Sequence, residues 1–123
     1  MQLLGADRID HGVRAVEDEK LMAYLAERRI PLGVCPSSNL TLGLYRSLAA
    51  HPFETLRKAG LPVSVNTDDP ALLGLRLDQE YARCAAAFGW GDDELRAVAR
   101  TSIEASFAAP ELKRQLGAAL AAW

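Results

Sequence analysis

Three short apolar segments in this chain each end in polar residues and each run on into helix. The first is Asp7-Arg8-Ile9-Asp10-His11, which leads into a helical run from Glu17 to Arg29. The second, Ile30-Pro31-Leu32-Gly33-Val34-Cys35, passes through a polar stretch to a helical run from Phe53 to Ala59. The third, Leu61-Pro62-Val63-Ser64-Val65-Asn66, is followed by Thr67-Asp68-Asp69-Pro70 and then by helix. Parallel strands need a crossover of about a dozen residues or more, and each gap here provides one. The pattern predicts successive βα units.

The helices carry their own signals. Asp18 is suited to cap the first, whose apolar stripe is Leu21, Met22, Leu25 and Ala26. Gly60 follows the second, where a left-handed residue ends a helix. Beyond the third strand the alternation stops. Leu77, Tyr81, Cys84, Ala85 and Phe88 form one stripe, and Leu95, Val98, Ala99 and Ile103 form the next. Asp92 or Asp93 opens that later helix, and Pro110 begins the last. The Ala-rich stretch from Gly117 to Trp123 reads as a fraying end. The expected order is β-α-β-α-β-α-α-α.

Three parallel strands do not close a barrel, which takes eight strands and about 250 residues. A three-stranded parallel sheet also leaves two edges unpaired and two faces to cover. The chain therefore reads as an α/β fold made of the last three βα units of a TIM (β/α)8 barrel plus C-terminal helices. It is one incomplete barrel domain over residues 1–123, with no internal boundary.

Composition narrows the function. Fourteen Lys and Arg against 16 Asp and Glu give a formal charge of −2, which is not the basic footprint of a nucleic-acid binder. No apolar run approaches the roughly 18 residues that span a bilayer. The opening residues Met1 to Arg8 have an acid before the first base and too short an apolar stretch for a secretory leader. Cys35 and Cys84 form no CxxC motif and read as reduced thiols. A cytoplasmic protein is the expectation.

The polar residues gather at the ends of the strands: His11 after the first, Ser37-Ser38-Asn39 after the second, Asp68-Asp69 after the third. Ligands bind at the carboxyl ends of strands in such folds. Adjacent carboxylates repel unless a cation or proton donor is near, so Asp68-Asp69 suits a metal. Helix capping is the other reading, since Asp69-Pro70 is an N-cap followed by an N1 proline. His11 is either a catalyst or a structural hydrogen-bonding residue. Asp10 either orients it or points into the barrel interior. Cys35-Pro36-Ser37-Ser38-Asn39 reads as a loop scaffold, and His51 as a capping or surface residue. If His11 and the acid pair act together, they must lie within about 15 Å of each other on the scale of strand and side-chain reach.

In order and spacing, Arg8-Ile9-Asp10-His11-Gly12-Val13, Val34-Cys35-Pro36-Ser37-Ser38-Asn39, Ala50-His51-Pro52 and Val65-Asn66-Thr67-Asp68-Asp69-Pro70 resemble the adenosine/adenine deaminase family. The resemblance covers about residues 6 to 115. It implies a TIM barrel of the metal-dependent hydrolase type. It also implies one zinc ion that activates a water to attack C6 of a purine base or nucleoside, with release of ammonia. On this resemblance Asp68 is a zinc ligand, Asp69 hydrogen-bonds the purine ring, and His11 lies beside the water, orienting it and helping with proton transfer. The Asp10 form of the first motif is more like adenine deaminases than adenosine deaminases. Much of the discrimination between them would come from residues outside this chain.

The family's His-x-His pair, its fifth-strand His and its proton-donating Glu are absent, and the chain has only two histidines. Catalytic zinc usually has three protein ligands. The zinc site is thus expected to be incomplete, the isolated chain to bind zinc poorly and not to deaminate, and the missing N-terminal part of the barrel to be its partner. Two other readings stand beside this one. A truncated barrel fragment that needs another chain to fold would share the family and lack the activity. A phosphoacceptor signalling domain would place its acid pair after the first strand, and here the pair follows the last.

Overall fold

The computed structural model describes residues 5–123. The reading of the opening residues as no leader falls partly on residues 1–4, outside the described residues. Three strands, β1 (Ile9–Asp10), β2 (Leu32–Val34) and β3 (Val63–Val65), form one parallel sheet in the order β1-β2-β3. The register aligns Ile9 with Leu32 and Leu32 with Val63, and on the next row Asp10 with Gly33 and Gly33 with Ser64.

Successive strand residues point to opposite faces, and the two faces differ in chemistry. Ile9, Leu32, Val34, Val63 and Val65 face a core shared with Val13, Leu25, Phe53, Leu56, Leu61 and Val98. Arg8, Asp10, Gly33, Cys35, Ser64 and Asn66 line a cavity on the other side.

Helix α1 (Glu19–Glu27) connects β1 to β2, and Asp18 caps it by accepting from Lys20 N and Leu21 N. Between β2 and β3 lie α2 (Pro36–Thr41) and α3 (Phe53–Lys58). Gly60 follows α3 with φ +87°, the left-handed residue expected there. After β3 come α4 (Pro70–Leu73), α5 (Leu77–Phe88), α6 (Asp92–Ala105) and α7 (Pro110–Ala121). Helix α6 packs on β3 and against α7. Phe53, Phe88 and Trp90 form an aromatic cluster with ring centroids 5.3 to 5.7 Å apart.

The structure corrects the sequence expectations in three places and decides between two readings in a fourth. The segment expected to be a loop, Pro36 to Asn39, is the start of α2. Its first turn is held by Glu80 of α5, whose Oε1 accepts from Ser37 N at 2.8 Å. Leu77 does not join the apolar stripe of α5: it is 52% exposed, and Glu80 is buried instead. The C-terminal stretch remains helical to Ala121, as the helix preference of Ala favours. His51 caps α3 but is not a surface residue, because it is only 4% exposed. Both cysteines are buried and free. Among the described residues no helix is long and apolar enough to cross a membrane.

Candidate functional site

The three strand ends converge on one cavity of about 550 Å³. His11 and Asp68, the residues that follow β1 and β3 closely, both have left-handed backbones, with φ 62° and 65°. Such values are uncommon outside glycine, though His and Asp tolerate them better than most residues. The conformation ends each strand abruptly, and the two side chains meet. His11 Nε2 lies 3.8 Å from Asp68 Oδ2, and each side chain is 39% exposed. That separation is too long for a direct hydrogen bond. Gly12, next in the chain, also has a left-handed backbone, at φ 68°.

Helix α2 supplies the second side of the site. Ser38 Oγ donates to Asp68 Oδ2 at 2.6 Å, which fixes one carboxylate oxygen. Asn39, 1% exposed, lies between the two histidines: its amide is 3.3 Å from His11 Nδ1 and 3.0 Å from His51 Nε2. His51 Nδ1 accepts from Phe53 N at 3.1 Å, and Tyr45 packs edge-on against its ring. Burial pushes the His51 imidazole down to about 4, so it stays neutral near pH 7.

Asp10 is not the orienter of His11. It pairs with Arg8 at 3.0 Å and points into the cavity, over Gly33. A Cβ on Gly33 would stand 2.8 Å from Asp10 Oδ1, so the missing side chain keeps that wall open. Asp69 serves the helix that follows β3. Its Oδ1 accepts from Leu72 N at 2.9 Å and caps α4, and it does not line the cavity.

His11, Cys35 and Asp68 place a ring nitrogen, a sulfur and a carboxylate oxygen within 4.8 Å of one another. These donor types suit zinc. Without a metal, burial and the nearby Asp68 charge push the Cys35 thiol up to about 11, so metal binding there would have to displace a proton. Asp68 is the anionic donor, with Oδ2 steadied by Ser38. Asp68 fits one side of a zinc site, with His11 beside it.

The structure thus brings together His11 and Asp68, singled out in the sequence, and sets beside them Ser38, Asn39 and His51, which the sequence reading left as scaffold, cap or surface residues. The signal for these was their place in motifs directly after a strand or before a helix. Their composition is that of a turn, which hid it.

A family model described as adenosine deaminase matches residues 1–123. An aminodeoxyfutalosine deaminase of Streptomyces coelicolor is 46% identical over 85% of this chain and 27% of its own length. An adenine deaminase of Rhizobium etli is 45% identical over 92% of this chain and 35% of its own. The crystal structure of an adenine deaminase from Arthrobacter aurescens superposes with a TM-score of 0.94 at 36% identity, over 98% of this chain and 37% of that one. An amidohydrolase from Burkholderia ambifaria, solved with bound Zn, matches with a TM-score of 0.85 at 30% identity, over 97% of this chain and 34% of that one. The chain is thus an α/β protein whose fold is that of a segment of the deaminase-type amidohydrolases. It belongs to the adenosine deaminase family. It spans about a third of the length of these relatives.

Proposed function

We propose that this chain is the C-terminal part of a zinc-dependent hydrolytic deaminase that replaces the amino group of a purine base or nucleoside with oxygen and releases ammonia. In this reading its three βα units are the last three of a TIM barrel, and residues 1–123 belong to that single domain. The observation that carries it is the meeting of His11 and Asp68 at 3.8 Å, at the strand ends and beside a cavity.

Asp68 would hold the zinc, with Ser38 steadying one of its oxygens. Bound zinc lowers the pKa of a water molecule towards about 7 and so makes a nucleophile available at neutral pH. His11 borders the same space and orients the attacking oxygen. Asp69 caps α4 through Oδ1 and stands outside the cavity lining, so its Oδ2 would accept only from a part of the purine that reaches past Asp68. The open wall at Gly33 gives a flat substrate room beside Asp10 and Asn66.

One firm anionic ligand does not hold catalytic zinc, which usually has three protein ligands. The isolated chain is therefore expected to bind zinc poorly and to be inactive, and to gain both properties when joined to the rest of a barrel. Ammonia release from adenine and from adenosine, measured with and without that complement, tests this. Turnover by the chain alone would overturn its incompleteness. No turnover by the completed protein with either purine would overturn the deaminase reading.

A further inference from the structure

We infer that Asn39 and His51 are positioning residues that decide which ring nitrogen of His11 carries hydrogen. The inference rests on the deaminase reading for its use and on hydrogen-bond chemistry for its content.

The backbone N–H of Phe53 sets the direction, because it can only donate. It points at His51 Nδ1 at 3.1 Å, so Nδ1 is an acceptor. A neutral imidazole has one donor and one acceptor nitrogen, so the hydrogen of His51 lies on Nε2. Burial keeps this ring neutral near pH 7. Its Nε2–H meets the Asn39 amide at 3.0 Å, and only the amide oxygen can accept there.

That fixes the amide. With Oδ1 turned to His51, the Nδ2 group faces His11 Nδ1 at 3.3 Å and donates to it. The opposite orientation would set donor against donor at His51. Asn39 and His51 are 1% and 4% exposed, so solvent could not relieve the clash. His11 Nδ1 is therefore an acceptor, and neutral His11 carries its hydrogen on Nε2. That is the nitrogen directed to Asp68 Oδ2. The string runs Phe53 N–H, His51, Asn39, His11, and every group in it donates towards the site. It presents an N–H to the oxygen atoms of the cavity, so His11 acts on them as a hydrogen-bond donor.

The test is long-range proton–nitrogen NMR of the 15N-labelled imidazoles in the protein at its natural length. His11 and His51 are assigned by the signals lost in His11→Gln and His51→Gln. The expected wild-type result is a protonated Nε2 and a bare Nδ1 in both rings. Asn39→Asp places an acceptor-only group before His11 Nδ1, so the His11 hydrogen should move to Nδ1 and its two nitrogens should exchange their shifts. His51→Gln keeps an N–H able to reach Asn39 Oδ1 and should leave His11 as in wild type. In Asn39→Asp kcat should fall roughly 10- to 100-fold, as for loss of an outer partner at a metal site, with KM little changed.

A wild-type His11 protonated on Nδ1 overturns the inference, as does an Asn39→Asp protein in which His11 is unaltered. If that variant does not fold, the wild-type spectrum alone decides. An active deaminase with hydrogen on Nδ1 would sink the positioning role and spare the deaminase reading. An inactive protein with hydrogen on Nε2 would do the reverse.

Discussion

The two faces of the same three strands have different chemistry. On one, Leu32, Val34, Val63 and Val65 are at most 2% exposed under α3 and its aromatic neighbours. On the other, Asp10, Gly33, Ser64 and Asn66 line a cavity, and polar groups replace a core. The first face is closed by the chain's own helices. The second remains concave and takes its order from hydrogen bonds: Asn66 Nδ2 donates to Ser64 Oγ at 3.1 Å, and Ser38 donates to Asp68. One sheet thus serves both tasks, with burial concentrated on one side and chemistry on the other. Changes on the closed face should act on stability, and changes on the open face should act on turnover.

The largest effect is expected at Phe53, which is fully buried against Phe88 and Trp90. Phe53→Ala should cost about 3–5 kcal/mol in urea unfolding, the usual range for deleting a core aromatic ring. A loss below 1 kcal/mol would show that this face is not the stable one.

His51 joins the two faces, and its effect depends on pH. Its folded pKa, about 4, lies below the ordinary value of 6.5. The unfolded chain therefore binds the proton more readily. The stabilising contribution is full above pH 6.5 and is lost as the pH falls from there to about 4. At 1.36 kcal/mol per unit this loss is about 3 kcal/mol. The difference in unfolding free energy between wild type and His51→Phe, followed from pH 7.5 to 4, should change by that order. A difference independent of pH would remove His51 from the account.

Ser38→Ala belongs to the open face. It removes the hydroxyl that steadies Asp68, and turnover of the complete protein should fall roughly 10- to 100-fold. Its unfolding midpoint should move far less than that of Phe53→Ala. The smallest effect is expected from Gly33→Ala. The added methyl comes closer than ordinary contact only to the end of the Asp10 side chain, which can swing away. Stability should change by less than about 1 kcal/mol, while KM for the purine rises. A collapse in stability would mean that the open face is packed after all.

The same contrast explains what the sequence disclosed. The strands, the first helix with its Asp18 cap, the turn at Gly60 and the pairing of His11 with Asp68 all follow from local pattern and strand polarity. Helix α2 did not, because Pro, Ser, Ser and Asn together read as a turn. What makes them helical is a contact 43 residues away, where Glu80 accepts from Ser37 N. Glu80 itself broke the apolar stripe expected of α5, being fully buried while Leu77 is exposed. The roles of Ser38, Asn39 and His51 were hidden for the same reason. Each depends on a partner from another segment, and residue type alone does not name that partner.

The central claim is that Asp68, and not its neighbour Asp69, binds the metal. Zinc content of the chain completed with the rest of a barrel, compared among wild type, Asp68→Asn and Asp69→Asn, tests it most directly. Asn caps helices as well as Asp does, so the second variant keeps α4. Wild type and Asp69→Asn should retain zinc, and Asp68→Asn should lose it. Zinc kept by Asp68→Asn at the wild-type level, or absent from wild type, would contradict the account.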